Sequence, residues 1–269
     1  MLDIAIVTDE ISLDVRVAIA EAKKLGISKF ELRCIGSYEE RVPFIRQEDY
    51  QYLLELAEKR QIQITALSPG TFKVKPSDQA AVDHALAEVL PKTFAMAQKL
   101  QVPTVISFGF LHDETPEDDV VKLFIKIAQL AERWGLVIAI ENEPGFFCDS
   151  GVSTARLLRK ANMANLGANW DPANAIGTGE LPYPIGYEAL KPFVRNVHVK
   201  DAVMDARHGC KLLGEGGVNW AGQLMALHQD AIVSHVTLET HYTPLLESSQ
   251  LCHRRLRSLI RLTEKEWLS

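Results

Sequence analysis

The chain has 269 residues, 47% of them apolar and 24% charged, with 29 basic against 35 acidic side chains and a formal net charge of −6. That is enough apolar chain for one sizeable core, and an α/β barrel of about 250 residues folds as a single unit. The acidic balance lacks the basic footprint of a duplex nucleic-acid binder, and no uncharged apolar stretch approaches the roughly 18 residues of a membrane span.

The elements alternate along the chain. DIAIVT (3–8) is a short apolar strand. DVRVAIAEAKKLG (14–26) has helical spacing and stops at Gly26. KFELR (29–33) reads as a strand, QEDYQYLLELAEKR (47–60) as an amphipathic helix and IQITAL (62–67) as a strand. A long helical stretch covers about 79–100, followed by strand PTVISF (103–108). TPEDDVVKLFIKIAQLAERWG (115–135) opens with Thr115, Pro116 and acidic residues, as a capped helix start does. LVIAIE (136–141) is the fifth strand. Helix STARLLRKA (153–161), strand NLGANW (165–170), a Pro/Gly-rich segment at 171–186 and a short helix near 186–192 come next. Strand VRNVHVK (194–200), a long loop, a helix near 220–229, strand IVSHVTLE (232–239) and a closing helix at about 247–265 complete the chain.

Eight short Ile/Val-rich strands alternate with eight helical segments, as parallel strands buried on both faces do. The pattern predicts one (β/α)8 barrel domain over residues 1–269. The alternative is a doubly wound open sheet, but DEISLD follows the first strand where a glycine-rich phosphate turn would stand. MLDIAIVTDE has no basic leader region. Cys34, Cys148, Cys210 and Cys252 lie far apart without a CxxC spacing, as reduced thiols of a cytoplasmic protein would.

A barrel places its site at the carboxyl ends of the strands, and polar residues collect there. Strand one leads to Thr8, Asp9 and Glu10; strand two carries Glu31 and Arg33; strand three ends at Ser68; His112 follows strand four. Strand five ends at Glu141, Asn142 and Glu143; strand six at Trp170, Asp171 and Asn174; strand seven at His198, Lys200 and Asp201; strand eight at Glu239 and His241. A single Glu at a strand end is ordinarily a solvated loop residue. Four groups at successive strand ends, Glu141, Asp171, His198 and Glu239, are different, because three carboxylates in one mouth repel unless a cation sits among them. Three carboxylates and one imidazole suit one divalent metal, with Mn, Mg or Co favoured over Zn by the oxygen-rich set. Asn142 is placed to orient Glu141 from outside the ligand set.

IENEPG, NWDPANA, VHVKD, LGEGGVNW and LET, in this order and spacing, resemble the xylose isomerase-like barrel superfamily over nearly the whole chain. This is the sugar phosphate isomerase/epimerase group, which includes the endonuclease IV relatives. The resemblance implies a metal-binding (β/α)8 barrel with Glu141, Asp171, His198 and Glu239 as ligands. It implies a metal-dependent sugar isomerase or ketose 3-epimerase of carbohydrate metabolism, working through an enediolate, with Glu141 and Glu239 as the proton-transferring pair. Lys200 is assigned a developing oxyanion, and Arg33, His112, Asn174 and His241 are assigned substrate contacts. The alternative for Lys200 is a salt bridge to Asp201 or Glu239. Asn174 is a departure, since many relatives carry His there, and Asn binds a hydroxyl but moves no proton. Glu215, between glycines, is expected to organise its loop. Competing readings are a dehydratase or lyase acting on inosose-type substrates, an endonuclease IV-like nuclease, and a non-catalytic sugar-binding barrel. The loops 34–46, 68–78 and 202–213 would distinguish isomerase from lyase. The expected partner is a small sugar or sugar-derived molecule, with no nucleic acid and no membrane, and with room for a homo-oligomer.

Overall fold

In the computed structural model, which describes residues 2–203 and 209–268, eight parallel strands close into one barrel. They are Asp3–Val7, Lys29–Leu32, Gln63–Leu67, Thr104–Phe108, Val137–Glu141, Leu166–Trp170, Val194–Val199 and His235–Leu238. Each pairs with the next, and the eighth closes on the first with Ala5 opposite Thr237. The closed ring excludes the doubly wound sheet. Among the described residues, no helix is long and apolar enough to cross a membrane.

Local chemistry sets most helix ends. The Asp14 carboxylate accepts from the backbone N–H groups of Arg16 and Val17 at the start of helix Val15–Lys24. Gly26 follows that helix at φ +80°, a conformation that costs glycine little. Ser150 and Ser153 form a reciprocal cap on helix Gly151–Ala161. Pro116 occupies the cap position of helix Glu117–Glu132 without a side-chain bond, so Thr115 is not the cap. Glu117, Asp118 and Asp119 instead meet the positive end of the helix dipole.

Several boundaries differ from the sequence reading. The 79–100 stretch contains a π-helical turn, Ala85–Val89, between two α-helical segments. The short helix near 186–192 contracts to Tyr187–Leu190, continued by a 3-10 turn. The eighth strand begins at His235, because Ala231 ends the preceding helix in a left-handed conformation and Ile232 is left exposed. Helix Pro172–Ile176 and a ribbon pairing Asp201–Ala202 with Cys210–Lys211 had no periodic signal. The part of loop 202–213 at 204–208 lies outside the described residues.

Strand side chains alternate between two environments. Ile138 and Ile140, Ala168 and Trp170, Val197 and Val199, and Val236 and Leu238 belong to the large core shared with the helices. Inside the barrel, Ala66, Ile106 and Ala139 form a small separate apolar cluster. On strands two, six, seven and eight the interior carries the buried polar residues Glu31, Asn169, Asn196, His198 and Thr237.

His235, at the amino end of the eighth strand, gives a pH prediction. Its Nε2 is buried without a hydrogen-bond partner among the described residues, and burial, with Lys29 beside it, lowers its pKa from 6.5 to about 4. Between those values the unfolded chain takes up a proton that the folded chain refuses. Stability is therefore fully present above pH 6.5 and falls as the pH drops toward 4. Thermal unfolding from pH 7 to 4.5 should show a shallower acid decline in His235→Asn than in the wild type. Parallel declines would mean that His235 contributes nothing to it.

Candidate active site

The period of two along the strands builds two polar layers. In the lower one, Glu31, Asn169, Asn196 and Thr237 are all buried. Asn196 Nδ2 donates to Asn169 Oδ1 (3.0 Å) and Glu31 Oε2 (3.3 Å), and Thr237 Oγ1 donates to Asn196 Oδ1 (3.4 Å). Above it, Glu141, Asp171, His198 and Glu239 each offer one ligand atom, all within 4.8 Å of one another. All four side chains are buried.

The lower layer aims the upper one. Glu31 Oε2 lies 2.9 Å from His198 Nε2, which turns Nδ1 toward Glu239 Oε2 (3.2 Å) and Glu141 Oε1 (3.7 Å). Asn169 donates to Glu141 Oε2 at 3.0 Å. Asn142 does not orient its neighbour Glu141. It clamps the backbone of Asp171, accepting from its N–H and donating to its C=O, both at 2.8 Å. Asp171 Oδ1 caps helix Pro172–Ile176 by accepting from Ala173 and Asn174. Among the described residues its Oδ2 accepts no well-directed hydrogen bond, and it lies 2.7 Å from Lys200 Nζ.

Cations surround the carboxylates. Lys200 Nζ is also 3.2 Å from Glu239 Oε2. Arg33 donates to Asp9 (2.9 Å), to Glu10 (2.8 Å) and to Glu239. His241 bridges Glu10 (3.0 Å) and Glu239 (3.2 Å). Burial pushes the carboxyls of Glu31, Glu141, Asp171 and Glu239 up, and neighbouring charge decides the outcome. Asp171 and Glu31 remain raised by burial despite Lys200 and His198 respectively. For Glu141, His198 and Lys200 outweigh burial and lower the carboxyl. For Glu239, Lys200, His198 and His241 hold it well below the usual range. Burial works to lower His198, but Glu31, Glu239 and Glu141 drive it well above the ordinary imidazole value. Glu239 raises His241 to about 9.

Glu141, Asp171, His198, Glu239, Lys200, Arg33 and His241 therefore meet in one mouth. Lys200 pairs with Asp171 and Glu239, and not with Asp201. Asn174 is bound through Nδ2 to the Asn142 carbonyl (2.9 Å) and lines a cavity of about 70 Å³ with Lys200 and Cys210. A second cavity of about 280 Å³ lies on the side of Arg33 and His241. His112 stands apart from both, its ring stacked on Phe147 at 4.2 Å. Glu215 pairs with Arg255, which also donates to the Leu213 carbonyl of the same loop (2.9 Å). Asp201 holds that loop by accepting from the N–H groups of Gly214, Gly216 and Val218.

Asn169 and Asn196 have no place in the sequence reading of the mouth, and Glu31 enters it only beside Arg33, without a role. Their signal is the same period of two, since each stands two positions before Arg33, Asp171 and His198 respectively. As to fit, the four ligand atoms converge, one Asp171 oxygen lacks a directed partner, and His198 is turned by Glu31. The donor set suits a divalent cation.

No curated protein sequence matches the chain. Solved structures do match in fold. A D-tagatose 3-epimerase-like protein is similar at 16% identity, covering 98% of this chain and 99% of that one, with a TM-score of 0.81. A probable 3-DHS dehydratase, AsbF, from Bacillus anthracis is 16% identical over 95% of this chain and 99% of its own, with a TM-score of 0.78. An IOLI protein with a bound zinc atom is 16% identical over 99% of both chains, with a TM-score of 0.75. The family model described as a xylose isomerase-like TIM barrel matches residues 19–260, and the chain belongs to that family.

Proposed function

We propose that this chain is a divalent-metal-dependent isomerase or 3-epimerase of a small sugar or sugar-derived ketose. The observation that carries the reading is the convergence of Glu141, Asp171, His198 and Glu239 on one point at the barrel mouth. Glu141 and Glu239 come from strands five and eight, with strands six and seven between them. They therefore reach the mouth from different sides, as a pair must when one removes a proton beside a carbonyl and the other returns it. A divalent ion held by the quartet supplies Lewis acidity that stabilises negative charge developing on the substrate oxygens. Mn, Mg or Co fits the oxygen-rich set best, and Zn also fits. Arg33 fixes the Glu239 carboxylate, and Lys200 presents a buried ammonium to an enediolate oxygen. Asn174 and His241 line the mouth as contacts for hydroxyl groups.

The second reading is a dehydratase or lyase, favoured by the likeness to the dehydratase AsbF. It starts from the same proton removal and ends in loss of a leaving group. Incubating candidate ketoses with metal-loaded protein in heavy water separates the two. Solvent deuterium in an isomer or epimer supports the isomerase, and a dehydrated product supports the lyase. Absence of both in a broad ketose panel contradicts the enzyme reading.

Glu31 gives a further prediction. Glu31→Gln keeps an acceptor for His198 but removes the charge that raises the basicity of Nδ1. Divalent-ion affinity should drop roughly 10–100-fold, read as a dissociation constant by titration calorimetry. Unchanged affinity would show that Glu31 is structural only.

A further inference from the structure

We infer that the substrate of this mouth carries an anionic group, a carboxylate or a phosphate monoester, held by Arg41. The inference rests on the quartet being the reaction centre and names the class of molecule brought to it.

The charges around the 280 Å³ cavity are nearly all accounted for. Its wall includes Asp9, Glu10, Arg33, Arg41, Lys73 and His241. Arg33 is matched by three carboxylates, His241 lies between Glu10 and Glu239, and Lys73 pairs with Glu143 at 2.8 Å. Arg41 differs. Among the described residues its side chain has no ion pair, and its Nε is buried without any hydrogen-bond partner. A partly buried guanidinium without a counter-charge is costly.

Two loops nevertheless hold it in place. Its backbone bridges to Cys34, and the following Val42 N–H donates to the Arg33 carbonyl at 3.0 Å. On the other side, Gly70 adopts φ +75°, and a Cβ there would stand 3.0 Å from Arg41 Nη1. The loop after strand three thus gives up a side chain where the guanidinium lies. Arg33, adjacent to Arg41 across this pairing, contacts Glu239, so a ligand filling the cavity reaches from Arg41 toward the quartet. A planar fork of donors matches a carboxylate or a phosphate better than a hydroxyl. The acids already in the wall contact Arg33 and His241, and among the described residues Arg41 pairs with none of them. The loops 34–46 and 68–78 supply Arg41 and Lys73, which makes them the carriers of this selectivity.

The test is an NMR titration of metal-free protein, at low ionic strength, with inorganic phosphate and with malonate. The wild type should bind at least one of them saturably at a single site. Affinity should fall roughly 10–100-fold in Arg41→Gln and return in part in Arg41→Lys. The better-bound anion identifies the group. Failure of both anions to saturate, or equal affinity in a folded Arg41→Gln, would overturn the proposal. Because no metal is present, this result is independent of whether the quartet binds an ion, which is read separately from metal content.

Discussion

Asp171→Asn should lose tight divalent-metal binding while folding much as the wild type does. Asp171 is fully buried, and one carboxylate oxygen caps helix Pro172–Ile176 while the other faces Lys200. Asn caps a helix about as well as Asp, so the substitution spares the cap and removes only the charge. Asp171→Ala would remove the cap as well, at a cost of about 1 kcal/mol, and would confound the measurement. Without this charge the quartet keeps two carboxylates and one imidazole, and Lys200 remains paired with Glu239. Bound metal per chain, by elemental analysis, should fall to about a tenth or less of the wild-type value, the loss expected when a ligand charge is removed from an oxygen-rich site. Wild-type stoichiometry in a folded Asp171→Asn would remove this residue from the ligand set.

Glu239→Gln should depress turnover by roughly 10²–10⁴-fold, the usual range for loss of a general base, while keeping part of the metal affinity. Arg33, Lys200, His198 and His241 surround this carboxylate and hold it ionised. Gln occupies the same volume, and Arg33 keeps Asp9 and Glu10 as counter-charges, so the mouth should not collapse. Proton exchange between solvent and the substrate carbon distinguishes a lost base from a lost ligand. Unimpaired deuterium incorporation in metal-loaded Glu239→Gln would contradict the acid/base role.

Much of this architecture was legible because barrel strands advertise themselves twice. Ile138–Ile140 and Val197–Val199 read as buried runs, and the polar residues closing those runs marked the mouth. Glu141, Asp171, His198 and Glu239 converge because each sits where its strand ends and faces inward. The interior layer was harder to see. Glu31 and Asn169 are polar residues within strands, and only closure of the barrel tells an inward position from an outward one. Pairings across distant loops had no local signal at all. Asp201 organises the 214–218 turn from 13 to 17 positions away, and Asn142 clamps Asp171 at the end of the neighbouring strand. Lys200 follows His198 at the spacing that put it in the mouth, but its partner Asp171 comes from the end of another strand.

The central claim is that one divalent cation offsets the three carboxylates of the mouth. Elemental analysis of protein purified without chelator, then of metal-stripped protein reconstituted with Mn, Mg, Co and Zn in turn, tests it directly. About one ion per chain in the wild type, lost in Asp171→Asn, is the predicted result. No ion bound under any of these conditions would contradict the claim. It would leave Lys200, His198 and Arg33 as the charges that balance Glu141, Asp171 and Glu239.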